Sequence, residues 1–143
     1  MYYLKVLVEE IHSVVVATVD ETGHPHTAVM DMMWEDGKTV YFLTADFKPL
    51  YKRLKEDGRV AVTGMTQGAG TMDRKSISLT GQVEWIGKEH LEELLKANPY
   101  MYEIYPTEEG RSHLQVFRFK NAVGNFYDLT QLPPYQARFE IEG

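Results

Sequence analysis

Ser13-Val14-Val15-Val16-Ala17-Thr18-Val19-Asp20-Glu21-Thr22-Gly23-His24-Pro25-His26-Thr27-Ala28-Val29 is the stretch whose reading decides the fold. Its first seven residues are mostly β-branched, which suits a half-buried pleated strand, and Asp20 to Gly23 supply the Asp and Gly that a tight turn requires. A second strand from His24 to Trp34 follows. Glu35-Asp36-Gly37-Lys38 then places an Asp-Gly pair between strand-like runs, the strongest short-range hairpin signal, and Thr39 to Thr44 is the third strand of an antiparallel meander.

Outward from this core the pattern alternates between periods. Upstream, Leu4, Leu7, Val8 and Ile11 recur at helical spacing, which predicts a short amphipathic helix from Tyr3 to Ile11. Downstream, Leu50 and Leu54 share a helical face between Phe47 and Asp57, and Gly58 ends that helix. Arg59 to Thr66 reads as a fourth strand. Arg74 to Ile86 reads as a long fifth one, with Gly81 marking a bend or bulge of the kind barrel corners need. Lys88 to Ala97 is a helix facing the core through Leu91, Leu94 and Leu95, and Asn98-Pro99 stops it. His113 to Lys120 and Ala122 to Leu129 read as a hairpin-like pair, and residues 131–143 as an extended C-terminal arm packed on the body or on a partner subunit. The sum is one mainly β domain over 1–143 with peripheral helices, an antiparallel barrel or strongly curled sheet rather than parallel βαβ units.

Composition narrows the function. The 143 residues are 43% hydrophobic and 25% charged, ordinary for a folded domain. With no cysteine, disulfides, thiolate metal sites and cysteine nucleophiles are excluded. The net charge of −6 argues against sequence-independent nucleic-acid binding, which depends on Lys and Arg neutralising phosphates. No stretch approaches the roughly 20 apolar residues of a membrane helix, and the start lacks a signal-peptide pattern, so the expectation is a cytoplasmic protein without membrane contact.

Three groups of residues could carry chemistry. At Thr44-Ala45-Asp46-Phe47-Lys48-Pro49-Leu50-Tyr51-Lys52-Arg53, a strand ending in a hydroxyl feeds a helix whose first turn offers free backbone N–H groups and cations, the requirements of a phosphate monoester. The competing reading makes Lys48, Lys52 and Arg53 a solvated helix face and Asp46 its N-cap. His24 and His26, two apart on a strand, share a face, but no third metal ligand is evident and no metal is expected. Ser76, Ser78, Thr80 and Gln82 line one face of the fifth strand, either as its solvent face or as the wall of a ligand groove. No G-x-S-x-G, H-E-x-x-H, Walker or G-x-G-x-x-G motif is present.

The order and wording of these segments resemble the pyridoxamine 5′-phosphate oxidase-related, FMN-binding split-barrel family. The likeness rests on Ser13 to Val29, Asp36 to Thr44, Lys48-Pro49-Leu50-Tyr51, Leu54-Lys55, Arg59-Val60-Ala61-Val62 and Leu79-Thr80-Gly81-Gln82-Val83-Glu84, and runs from about Ile11 to Leu129. Asn98 to Tyr105 and Phe126-Tyr127-Asp128 further resemble the small subgroup that includes nitroimidazole-resistance-type flavoproteins. The resemblance implies a split barrel and a homodimer with FMN between subunits. His26, Thr27, Ala28 and Val29 would then lie along the flavin ring, Thr44, Lys48 and Lys52 at the ribityl phosphate, and Gln82 and Trp85 near the flavin.

Phe47-Lys48-Pro49 stands where many members carry more polar and basic residues, and the Arg-x-His substrate motif and the Arg-Leu-x-Pro ending of the true oxidases are read as missing, so vitamin B6 oxidation is not expected. The implied activity is oxidoreduction of a small molecule, nitroreductase-like or related, with NAD(P)H as candidate donor. A flavin carrier or redox sensor without turnover, and a split barrel holding haem or a deazaflavin, are the alternatives.

Overall fold

The computed structural model describes residues 1–143. Its centre is one eight-stranded antiparallel sheet in the order β2-β1-β5-β6-β7-β4-β3, with β8 also on β7. The strands are β1 Ser13–Val19, β2 Pro25–Asp31, β3 Trp34–Glu35, β4 Val40–Ala45, β5 Arg59–Met65, β6 Lys75–Gly87, β7 Leu114–Asp128 and β8 Tyr135–Glu142. The expected mainly β, antiparallel split barrel is the fold observed.

The long strand β7 splits the sheet. β6 runs along one edge of it, while the other edge is shared: Leu114 to Arg118 pair with β4, and Asn121 to Asp128 pair with β8. At the changeover the register of β6 on β7 jumps from Gln82↔Asn121 to Val83↔Phe119, which leaves Lys120 as the extra residue of a bulge. The hairpin-like pair read at 113–129 is therefore one continuous strand. The bulge bends the chain at Lys120-Asn121 without reversing it. Gly81 sits against this bend, where an added Cβ would lie 2.1 Å from the Asn121 carbonyl oxygen.

The antiparallel meander is also corrected. β1 and β2 pair from Ser13↔Asp31 to Val19↔Pro25, but β2 ends at Asp31, and Met32-Met33 carry the chain away to start the β3–β4 hairpin around Asp36-Gly37. β4 then pairs with β7 rather than with β2. Every residue of β4 is buried. Val40 and Phe42 face the main core of 23 buried residues, while Tyr41, Leu43 and Ala45 face a second cluster of nine completed by Leu94, Leu95 and Met101. A strand covered on both faces reads as a continuous apolar run, as this one does.

The helices plug the open sides. α1, Tyr2–Lys5, passes directly into a wider π-type turn, Val6–Ile11, whose closing bond runs from the His12 amide to the Leu7 carbonyl over 2.8 Å. Leu4, Val6 and Leu7 are wholly buried by this segment. α2, Pro49–Glu56, opens with Pro49 in its first turn, where the missing N–H costs nothing, and buries Leu50 and Leu54. α3, Leu91–Ala97, is followed by two short helices the sequence reading passed over, α4 Met101–Ile104 and α5 Glu108–Arg111. The C-terminal arm packs on its own body as β8, and Phe139 stacks on Tyr3 with centroids 4.6 Å apart. No helix is long and apolar enough to cross a membrane.

Candidate functional site

The junction of β4 and α2 opens into a cleft of about 520 Å³ between β2, the N-terminus of α2 and α4. Ala28, Val29, Met30 and Asp31 form one wall, and Met101 and Ile104 of α4, with Tyr105 just after it, another. Thr44, Lys48, Pro49 and Arg53 close the cationic end. The cleft therefore has an apolar slot with a cationic end, suited to a planar ring carrying an anionic tail.

Local structure explains the cationic end. Lys48 is the N-cap of α2, in extended conformation and without a side-chain cap bond; Pro49 has no N–H and the Tyr51 N–H donates to the Lys48 carbonyl over 3.1 Å, so in the first turn it is the Leu50 N–H that is left for water or a ligand. Arg53, one turn on, is held by its Nε donating to the Thr18 hydroxyl on β1 over 2.8 Å. Thr18 is buried, so this bond anchors the guanidinium at the cleft. Asp46 is not the N-cap. His113 Nδ1 lies 2.9 Å from its Oδ1 and Gln115 Nε2 donates to its Oδ2 over 3.4 Å, which turns the carboxylate toward β7.

Of the residues singled out in the sequence, Ala28, Val29, Thr44 and Lys48 share this cleft. His26 and Lys52 line a neighbouring hollow of about 420 Å³ that also contains Pro49 and Arg53. Asp20, Glu21, Glu56 and Asp57 line that hollow too, so four carboxylates oppose an anion beside Lys52. His26 Nε2 lies 2.8 Å from Asp20 Oδ2, and His24 Nδ1 2.7 Å from the Thr22 hydroxyl, so both histidines serve the β1–β2 turn. The His26 and Thr22 bonds hold the Asp20 carboxyl well below the usual carboxylate range.

Thr27 pairs with Ala17 on the outer face of the sheet. Gln82 lies in a shallow groove on that same face with Ala17, Val19 and Thr80. Trp85 lies elsewhere: its indole N–H donates to Gln115 Oε1 over 3.0 Å and Lys55 Nζ sits 4.5 Å above its ring. Within one chain, then, Thr27, Gln82 and Trp85 are not brought to the cleft.

The sequence reading missed Asp31, Tyr100 and the α4 wall. Tyr100 donates to Asp31 Oδ2 over 2.7 Å, and burial, reinforced by that bond, pushes its phenol well above the ordinary range. The signal was the aromatic run after Pro99, which reads as a helix stop yet starts another helix. The reading that no Arg-x-His is present is corrected by Arg111-Ser112-His113, which has that spacing. Here Arg111 Nη1 donates to the Tyr105 carbonyl over 2.8 Å and His113 pairs with Asp46.

The family model for pyridoxamine 5′-phosphate oxidase matches residues 4–127. The chain belongs to this family. Among solved structures, a NimC/NimA family protein from Clostridium acetobutylicum is 21% identical, with a TM-score of 0.76 over 98% of this chain and 88% of that one. A haem-binding protein from Mycobacterium smegmatis is 13% identical, with a TM-score of 0.70 over 94% of this chain and 55% of its own. A pyridoxamine 5′-phosphate oxidase-related, FMN-binding protein from Nostoc punctiforme is 11% identical, with a TM-score of 0.60 over 92% and 87%. No curated protein matches the sequence. At these identities the likeness shows a shared fold, described as FMN-binding in one of these proteins and haem-binding in another.

Proposed function

We infer that this pyridoxamine 5′-phosphate oxidase-family chain is a cytoplasmic FMN-binding oxidoreductase for a small molecule, working as a homodimer with NAD(P)H as electron donor. The observation that carries the reading is the cleft in which an apolar slot ends at Thr44, Lys48 and Arg53. A dinucleotide would need a second phosphate cradle, whereas one phosphate monoester matches one cationic end. When bound, FMN supplies the hydride and electron transfer, and the chain supplies orientation and charge. Lys48 and Arg53 would hold the phosphate, Ala28 and Val29 would pack against the ring system, and Met101, Ile104 and Tyr105 would keep water from the slot. Lys52 sits too near the four carboxylates of the neighbouring hollow to be a main phosphate ligand. Vitamin B6 oxidation is not part of this proposal, nor is any nucleic-acid or membrane partner.

The outer sheet face supports the dimer. Across five strands it carries Val29, Val15, Thr63, Ser78 and Asn125 in one row and Thr27, Ala17, Ala61, Thr80 and Val123 in the next. These ten positions carry no charge, and Val29 is 74% exposed and Val15 40% exposed. A self-complementary neighbour would cover this surface and bring Thr27 and Gln82 to the mouth of a shared cleft. The test is the visible spectrum of the purified protein, followed by identification of the released chromophore and titration with NADPH. FMN released on denaturation and bleached by NADPH is the expected result. FMN that no donor reduces would support the carrier or sensor instead. A haem spectrum, for which the mycobacterial fold relative is the precedent, or a colourless protein that ignores added FMN, would overturn the reading.

A further inference from the structure

Asp31 is the single acidic group that lines the cleft, and it stands at the end away from the cations. Arg53 is anchored to Thr18, which pairs with His26, whereas Asp31 pairs with Ser13. At about 3.3 Å per residue, five residues of β1 set the two ends roughly 16 Å apart. Between them the slot is walled by apolar side chains such as Val29, Ile104 and Leu114. Val29 lies two residues before Asp31, on the same side of β2, and is 74% exposed. A planar group seated on Val29 therefore brings one edge to Asp31.

The carboxylate is fixed in place from three sides. Its Oδ1 accepts from the Ser13 hydroxyl on β1 over 2.7 Å, and its Oδ2 from the Tyr100 hydroxyl, just ahead of α4, over 2.7 Å. His12 Nε2 lies 3.5 Å from the same Oδ2 and is the one group within ion-pair range, so neither Lys48 nor Arg53 neutralises Asp31. Burial, with the bond to Asp31 and its charge, raises the Tyr100 phenol, which keeps that hydroxyl a donor to the carboxylate. A carboxylate has about four acceptor sites, so these three neighbours leave one open, and 26% of the side chain is exposed to receive a donor. The cleft thus fits a ligand with an anionic tail, an apolar plane and an N–H donor at its far edge. Hydrocarbon at that edge would cover the carboxylate without replacing the water it displaces.

We propose that Asp31 accepts the imide N–H of the FMN ring and, through its charge, holds bound FMN at a lowered reduction potential. The inference rests on the FMN reading above. Of the two outer edges of the ring system, the imide edge carries an N–H donor and the dimethylbenzene edge carries none. With the phosphate at Lys48 and Arg53, the imide edge is therefore the one turned to Asp31. The hydride that the ring takes from its donor adds negative charge to it, and a carboxylate held at the imide edge opposes that charge. The oxidised ring is favoured, and the reduced ring becomes the stronger hydride donor toward an acceptor. Asp31 acts on the cofactor directly and moves no proton. Ser13 and Tyr100 are positioning residues that hold its carboxylate at the slot.

Two measurements test the proposal, neither of them turnover. In a redox titration of FMN-loaded protein, Asp31→Asn, which keeps an acceptor oxygen and removes the charge, is expected to favour the reduced flavin about tenfold, a rise of about 30 mV for two electrons. Ser13→Ala and Tyr100→Phe loosen the carboxylate without removing its charge, and their potentials are expected to stay near the wild-type value. In a fluorescence titration, N3-methyl-FMN is expected to bind the wild type at least about tenfold more weakly than FMN, and Asp31→Ala, which leaves room for the methyl group, to close that gap. If the Asp31 variants do not fold, the wild-type comparison carries the test alone. An unmoved potential in Asp31→Asn, an equal rise in Ser13→Ala and Tyr100→Phe, or equal wild-type affinity for the two flavins overturns the role of Asp31 and leaves FMN binding standing. Wild-type protein that fails to hold FMN overturns the flavin reading itself, and this inference with it.

Discussion

Replacing Lys48 with alanine separates a phosphate ligand from a structural lysine, because its side chain is exposed at the N-cap of α2 and supports no part of the core. A charge-assisted hydrogen bond to phosphate contributes about 1.5–3 kcal/mol. Exposure lets water and salt weaken the ammonium's hold, so the low end applies, about 1.5 kcal/mol, or roughly tenfold in affinity. Arg53→Ala would cost more, but it would also strand the buried Thr18 hydroxyl, so its loss mixes binding with folding. Flavin fluorescence gives both affinities for wild type and Lys48→Ala. FMN is expected to weaken about tenfold and riboflavin, which has no phosphate, to stay as it was. The difference of the two differences cancels ring stacking and any general loosening. Equal losses for both ligands would make Lys48 a structural residue. No loss for either would move the phosphate elsewhere, and the reasoning from the cleft would fail.

Val15→Arg places a charge among the ten uncharged positions of the outer face, and light scattering is expected to show a monomer for the variant and a dimer for the wild type. An unchanged dimer would mean the subunits meet elsewhere. Gly81→Ala drives a methyl into the Asn121 carbonyl and Ala122 backbone, which cannot yield as a side chain would, and should cost about 3 kcal/mol in urea unfolding. A loss under about 1 kcal/mol would mean the β6–β7 bulge relaxes freely. The Asp57 carboxyl is lowered to about 2 by Arg59, whose side chain donates to it over 2.7 and 2.8 Å. A folded value below the unfolded one, about 3.9, adds stability that is present above that pH and lost as the pH falls toward 2. Asp57→Asn should therefore narrow the gap in melting temperature between pH 5 and pH 2.5, and an unchanged gap would refute this assignment.

Much of the fold was legible because local signals and burial agree there. Ser13–Val19 appears with the bounds read from its β-branched run, and Asp36-Gly37 does turn the β3–β4 hairpin. What failed were pairings that no local signal encodes. Thr39 to Thr44 looks like the next strand of a meander, yet its neighbour is β7, some 70 residues on, because both of its faces are apolar and only the position between the two cores covers both. Lys120-Asn121 looks like a turn since a bulge and a hairpin both need a residue that leaves the ladder. Only the register with β6 and β8 tells them apart.

The site divides along the same line. Thr44 and Lys48 could be read because a strand end followed by a helix start and a cation is a local pattern, and the structure sets Ala28 and Val29 opposite them in one cleft. Lys52, four residues past the N-cap on the same helix, shows why the pattern overreaches: its side chain lines a hollow with four carboxylates. Asp31 and Tyr100 are 69 residues apart in the chain, and their 2.7 Å bond exists only because β2 ends where α4 begins to cover the cleft. Neither carries a motif. Asp31 and Tyr100 are thus joined by tertiary packing, while the cationic end with Thr44, Lys48 and Pro49, close together in the chain, is the part of the cleft a sequence can announce.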